Sequence, residues 1–340
     1  MKNKIFDKMR TGVENKFLQG NMRTKWRAVV MLMALTASFI LTSCETDLDI
    51  KTDDYTDRIV INSIFNNRDT LAVEVTKTFP PYGKANIEEL EKAKVSVFRE
   101  GQFVEDLVYV KREQDSLGRF VASFIPEPEK NYSIEVTDAK IGKAASASYI
   151  PGMFEVTGLS AVKTEWGEDN ITSMRFNFKF TLHDPEASDQ YYLTIAFPVL
   201  EKNEATGEWE FFAFQYCEIL TGDLPLHQLY LRNGLLFKDD AFNGTAHVVS
   251  GSATTYRKPF GDFDIDFPPD PDKYKVDSLH MHISVHRLSP ELYLFCSSYA
   301  TVLKNENNIY SEPAPVYSNV ENGTGIFGGE YVIDKVVDTK

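Results

Sequence analysis

Only three cysteines occur in 340 residues, and no two of them form a CxxC pair. Structural zinc and thioredoxin-like redox chemistry are thereby excluded. Cys217 and Cys296 each lie in an apolar run, FFAFQYCEI and ELYLFCSSY. In an oxidising compartment they either join as a disulfide or stay as buried free thiols. Positive charge is scarce as well, with 36 Lys and Arg against 50 Asp and Glu and a formal net charge of −14. A surface of that sign repels nucleic acid and anionic lipid headgroups, so neither is expected as a partner. Hydrolase signatures are missing: there is no GxSxG, no HExxH and no SxxK with supporting motifs. Tryptophan is rare, and Trp209, near Gly207 and Phe211, is too little to define a glycan platform. No internal repeat or low-complexity block stands out.

What is present begins near the N-terminus. Met22 to Cys44 reads MRTKWRAVVMLMALTASFILTSC, with Arg23, Lys25 and Arg27 ahead of the apolar run Ala28 to Leu41. A run of about 14 residues is short for a membrane span and right for a secretory signal. Leu41-Thr42-Ser43-Cys44 resembles the lipobox of bacterial lipoproteins, in which the cysteine is diacylated and the chain is cleaved before it. Residues 1–43 are therefore expected to be a signal peptide, with Met22 a sensible start, and Cys44 the lipidated first residue. The removed segment carries eight Lys and Arg but only two Asp and Glu, which leaves a mature net charge of −20. Residues 44–57, polar and acidic without periodicity, read as a tether.

From Arg58 onward the dominant period is two, the period of a strand. RIVINSIF (58–65), LAVEVTKT (71–78), AKVSVFRE (93–100), FVEDLVYV (103–110), GRFVASFI (118–125) and YSIEVTD (132–138) follow one another with turn residues between. The pattern predicts an all-β fold, with an immunoglobulin-like β-sandwich over 58–150. Pro151-Gly152 marks a boundary. Beyond it, FEVTGLSAV, SMRFNFKFTL, YYLTIAFPVL, WEFFAFQYCEI and SLHMHISVHRL predict a second β-rich, sandwich-type domain over 151–340. One helix is expected near 290–304: Ser289-Pro290-Glu291 supplies an N-cap, a proline at the first turn and an early acid.

The run SEPAPVYSNVENGTGIFGG (311–329) resembles the signature of a Bacteroidota lipoprotein family catalogued as domain of unknown function 4249. His183-Asp184-Pro185 leading to Gln190-Tyr191-Tyr192, Lys238 to Gly244 (KDDAFNG) and Ala145 to Pro151 (ASASYIP) fit the same family. The resemblance implies a cell-envelope lipoprotein, commonly encoded beside a TonB-dependent outer-membrane transporter. It implies no catalytic residue. Asp69-Thr70-Leu71, Asp115-Ser116-Leu117 and Asp277-Ser278-Leu279 resemble the Asp-Ser/Thr-apolar sequon for O-glycans in such bacteria, which makes Thr70, Ser116 and Ser278 candidate acceptors. Glu45, Asp47 and Asp49 resemble the acidic export signal of surface lipoproteins.

Three further constellations are weighed by their chemistry. Gly323-Thr324-Gly325-Ile326-Phe327-Gly328 formally matches GxGxxG, but Glu330 to Ile333 reads as strand, so the helix that a dinucleotide site requires is missing. A turn with positive φ, or close backbone packing, explains these glycines better. His280, His282 and His286 share one face of a predicted strand, and only His280 and His282 are close enough to cooperate on a metal. A solvent-facing polar surface is the plainer reading. Asp262, Asp264 and Asp266 suggest calcium, yet Phe267 and Lys273 occupy the positions where an EF-hand loop needs Gly and Glu. No cofactor is expected. Taken together, these features predict a non-enzymatic outer-membrane lipoprotein, surface-exposed, serving a TonB-dependent transporter in nutrient or iron-complex capture. The alternative is an envelope structural or adhesin-like interaction module, with a hydrolase lacking a recognisable motif third.

Overall fold

The computed structural model describes residues 55–80, 87–112, 115–164, 173–224, 229–231, 234–256, 273–305 and 314–340. The period-two segments fold as strands, although GRFVASFI is strand only over Arg119–Val121. Before Pro151 run β1 (Ile59–Asn66), β2 (Ala72–Lys77), β3 (Glu88–Glu89), β4 (Lys94–Arg99), β5 (Gln102–Asp106), β6 (Val108–Val110), β7 (Arg119–Val121), β8 (Asn131–Asp138) and β9 (Gly142–Tyr149). After it come β10 (Glu155–Thr164), β11 (Ser173–His183), β12 (Gln190–Lys202), β13 (Trp209–Tyr216) and β14 (Glu218–Thr221). Next are β15 (Leu229–Leu231), β16 (Gly234–Lys238), β17 (Ala246–Tyr256), β18 (Tyr274–Val276) and β19 (His280–Leu288). The helix α1 (Pro290–Asn305) and a long strand β20 (Gly323–Asp338) follow. Among the described residues the fold is all-β with one short helix.

Twelve strands share one sheet, in the order β15-β16-β12-β19-β20-β1-β2-β7-β6, with β13 and β18 on β12 and β3 on β2. Two four-stranded sheets, β5-β4-β8-β9 and β10-β11-β17-β14, pack against its two halves. Alternation decides which side chains enter each interior. Ile59, Ile61 and Phe65 of β1 meet Val95, Val97, Tyr132 and Ile134 in a first core. Phe176, Phe178 and Phe180 of β11 meet Tyr191, Leu193, Ile195 and Phe197 of β12 in a second. Each such side chain contributes about 1.5–3 kcal/mol on burial.

The core changes hands between Ile150, which belongs to the first, and Phe154, which belongs to the second. The C-terminal strand nevertheless serves both, which two domains in simple succession would not do. Residues 323–330 of β20 pair in parallel with β1, and residues 330–338 pair antiparallel with β19. Phe327 is buried in the first core, while Ile333 and Val337 pack on the second. Pairing with β20 also covers an edge of β1 that would otherwise be an open template for another chain.

GTGIFGG is therefore strand, not turn. The glycines are required by close packing: a Cβ on Gly329 would lie 2.2 Å from the Tyr149 carbonyl oxygen, and one on Gly325 would lie 2.1 Å from that of Ile61. Gly325 also has φ +112°, a value L side chains rarely adopt. FVEDLVYV is two strands instead of one. The N–H of Leu107 bonds to Val95 (2.8 Å), and there the chain leaves β4 for β7.

Ser289 caps α1: its Oγ accepts from the N–H of Leu292 (3.4 Å) and its carbonyl from that of Tyr293 (3.0 Å). Leu292, Tyr293, Cys296 and Ala300 close over Leu236, Leu288 and Ile326 on the outer face of the large sheet. Cys217 lies in the second core and Cys296 under this helix, so the two thiols are free. Burial pushes each of them up to about 12.

Candidate functional site

Several residues singled out by sequence fall outside the described residues: the segment Met22 to Cys44, and Asp262, Asp264 and Asp266. Thr70 and Ser116 are exposed in connections between strands, and Ser278 is half-buried in the turn before β19. The carbonyl of Ser278 accepts from the Thr339 hydroxyl (2.7 Å).

On β19, Met281, Ile283 and Val285 point into the second core and His280, His282 and His286 point away. The imidazoles do not converge. His280 Nδ1 lies 2.8 Å from Asp277 Oδ2, His282 Nδ1 lies 3.5 Å from Asp334 Oδ2, and His286 Nδ1 lies 3.0 Å from Glu330 Oε2. Each ring has its own carboxylate, Asp277 from the turn before β19 and Asp334 and Glu330 from β20. The hydrogen bond that the imidazole donates to Asp277 holds His280 above its usual range.

The same outer face carries an aromatic ledge. Residues three apart on a regular strand point to opposite sides, yet the rings of Phe211 and Phe214 meet at 5.0 Å. A register shift opposite Val199 and Leu200 turns the strand between them. Phe214 also contacts His282 at 4.7 Å, and Lys275 Nζ sits 4.3 Å over the Trp209 ring. Phe211 is 60% exposed and Tyr216 46%.

A second cluster is buried at the turns that lead into and out of the large sheet. Asp184 and Asp189 bracket the β11–β12 connection, and Asp239 follows β16. One carboxylate oxygen from each lies within 4.8 Å of the others. Asp184 is held by the Tyr191 hydroxyl at Oδ1 (2.6 Å) and by the Gly244 N–H at Oδ2 (2.8 Å). The Asp189 N–H donates to Asp239 Oδ2 (2.8 Å), and the Asp239 N–H donates back to the Asp189 carbonyl (3.3 Å). Arg287 of β19 supplies the positive charge: Nη2 lies 2.7 Å from Asp189 Oδ1, and Nη1 donates to the Gly152 carbonyl (2.9 Å). This guanidinium thereby ties the carboxylates to the crossing between the two cores.

Burial raises the Asp189 carboxyl against the pull of Arg287, and pushes that of Asp239 up to about 6. It raises the Tyr191 phenol far above its usual range, with the Asp184 hydrogen bond adding to the effect. Two carboxylate oxygens, Asp189 Oδ2 and Asp239 Oδ1, are buried and accept no hydrogen bond among the described residues. An oxygen-only donor set of this kind suits a hard cation and not zinc or copper.

Sequence reasoning took note of HDP, QYY and KDDAFNG without bringing their acids together. The available signal was an aspartate on either side of one turn and a further Asp-Asp pair before Phe-Asn-Gly, both of which read as solvated turn chemistry.

No curated protein matches the chain. A family model, by contrast, matches residues 45–333, spanning both cores, the carboxylate cluster and the glycine-rich strand. The chain belongs to the family described as Domain of unknown function (DUF4249).

Proposed function

We propose that this protein is a lipid-anchored, non-enzymatic component of the outer membrane that assists a TonB-dependent transporter in capturing a nutrient or iron complex. The observation that carries the reading is the ledge on β13. A chain rarely leaves adjoining aromatic rings in solvent unless they meet a partner, and Phe211 and Tyr216 are both more exposed than packing requires. Among the described residues, β13 pairs only with β12, so its other edge is open to contact as well. Aromatic groups of this kind are the usual anchors of a protein interface. The lipobox at Cys44 and the absence of catalytic motifs point the same way.

Two experiments test this. Cross-linking in intact cells, followed by purification of the tagged protein, is expected to recover a transporter. The Phe211→Ser/Tyr216→Ser variant is expected to lose at least tenfold of that recovery while keeping its thermal midpoint. Undiminished recovery would remove the ledge from the interface, and recovery of other envelope proteins alone would favour an adhesin-like role. For the anchor, Cys44→Ala is expected to abolish fatty-acid labelling and leave unprocessed precursor. A variant that still labels would show that acylation occurs elsewhere.

A further inference from the structure

We infer that Asp184, Asp189 and Asp239 form a binding site for a hard divalent cation, calcium by preference, which joins the β11–β12 and β16–β17 turns. Charge is the first ground. Among the described residues three carboxylates face a single guanidinium, which leaves the ionised cluster two negative charges in excess away from water. Buried charge without a partner is strongly unfavourable, and a divalent ion removes that excess in one step.

Orphaned oxygens are the second and independent ground. Asp239 is 1% exposed and the Asp189 side chain 8%, yet Asp239 Oδ1 and Asp189 Oδ2 accept no hydrogen bond among the described residues. Their partner oxygens are both engaged, Asp239 Oδ2 by the Asp189 N–H and Asp189 Oδ1 by Arg287. Each carboxylate is thus oriented by one oxygen and offers the other. Asp184 differs in being held at both oxygens, Oδ1 by Tyr191 and Oδ2 by Gly244, and a lone pair remains on each.

Donor type chooses the ion. Three carboxylates converging from separate turns offer oxygen donors without a rigid frame, and calcium accepts such ligands in flexible geometry. Magnesium demands near-octahedral geometry and resists losing its waters. Water would supply the remaining positions of a calcium shell. The ion would lock Asp189 to Asp239 across strands that are already neighbours, since Gln190 pairs with Lys238. Through Arg287 it would also firm the Gly152 crossing between the cores.

The test uses the purified full-length chain in detergent, stripped with chelator, and the metals alone as probes. Calcium is expected to raise the thermal midpoint, with magnesium at least tenfold weaker. Terbium, a luminescent calcium substitute, is expected to emit on excitation of tyrosine, since Tyr191 touches one ligand. Asp239→Asn keeps the shape and removes one charge; it is expected to stay folded in chelator and to bind calcium and terbium at least tenfold more weakly. Should that variant fail to fold, Asp189→Asn serves in its place, and the wild-type titration stands without either. No midpoint shift and no terbium emission at millimolar metal would overturn the proposal. An equal response from wild type and both Asn variants would overturn it too, by showing adventitious binding to the acidic surface only.

Discussion

Alanine at Gly329 is expected to remove most of the folding stability of this protein. The added Cβ would stand 2.2 Å from the Tyr149 oxygen, 2.6 Å from its carbonyl carbon and 3.0 Å from the Ile150 nitrogen. All three are backbone atoms at the end of β9, where no rotamer change gives relief. The same backbone leads directly into the crossing between the cores, so a local shift would disturb Ile150 and Phe154 together. Forcing a methyl group into a packed interior costs about 1–3 kcal/mol where side chains can adjust, and more where only backbone can move. Gly325→Ala adds a forbidden φ of +112° to a 2.1 Å clash with Ile61, and is expected to be at least as damaging. Against a typical total of about 5–15 kcal/mol, losses above about 3 kcal/mol leave little folded protein at growth temperature. The comparison is Gly101→Ala, where φ is +75° and nothing lies within 4 Å, so only a conformational cost of about 1–2 kcal/mol applies. Urea midpoints measure all three. A Gly329→Ala midpoint no lower than that of Gly101→Ala would mean that β20 does not approach β9 so closely.

These glycines also show what a sequence conveys and what it conceals. GTGIFGG is conspicuous, and close packing is one of two explanations the glycines invite, but the strand that passes so near, GKAASASY of β9, has no strand signature of its own. Its alanines and serines have low β-propensity and read as connection. They suit a strand that must let β20 approach, as Ala144 does beside Gly323. The long alternating runs that became β1, β8, β11 and β19 were legible because both faces of each strand declare themselves, and β12 because it is apolar on both. The cap of α1 was legible because Ser-Pro-Glu has one physical use at a helix start. Pairings between residues far apart in the chain were not legible, and the β1–β20 pairing is the clearest case, since no local pattern encodes a partner more than 250 positions away. The carboxylate cluster was hidden for a similar reason: its acids come from two turns, and the cation that the described residues bring to it comes from β19. Arg287 itself breaks the His-X-His-X alternation of β19 in identity but not in phase, occupying an inward position that an apolar side chain would ordinarily take.

That inward position makes Arg287→Met the substitution with the second largest expected effect. Methionine keeps the unbranched stem of the side chain and tolerates an apolar setting, so the chief change is removal of the guanidinium. What is lost is the one guanidinium that the described residues place within bonding distance of Asp189, together with the hydrogen bond to the Gly152 carbonyl. The side chains of Arg287 and Asp189 are 9% and 8% exposed, so water cannot take over the role of the missing charge. Breaking a buried pair by removing one partner costs about 3–5 kcal/mol, because the remaining charge stays buried and unpaired. With Asp184 and Asp239 close by, the value should fall at the upper end of that range in chelator. For a unit of this size, a loss of that order lowers the thermal midpoint by roughly 10 °C or more. Removing the stranded charge should then restore stability: Arg287→Met/Asp189→Asn is expected to recover more than half of the loss, and this non-additivity measures the coupling directly. Calcium should stabilise the Arg287→Met variant more than wild type, since the cation then meets three carboxylates with no competing guanidinium. A double variant no more stable than Arg287→Met would show that the arginine acts through the Gly152 contact alone. In that case the two cores are joined at the crossing by a hydrogen bond, and the charge of the carboxylate cluster plays no part in holding them.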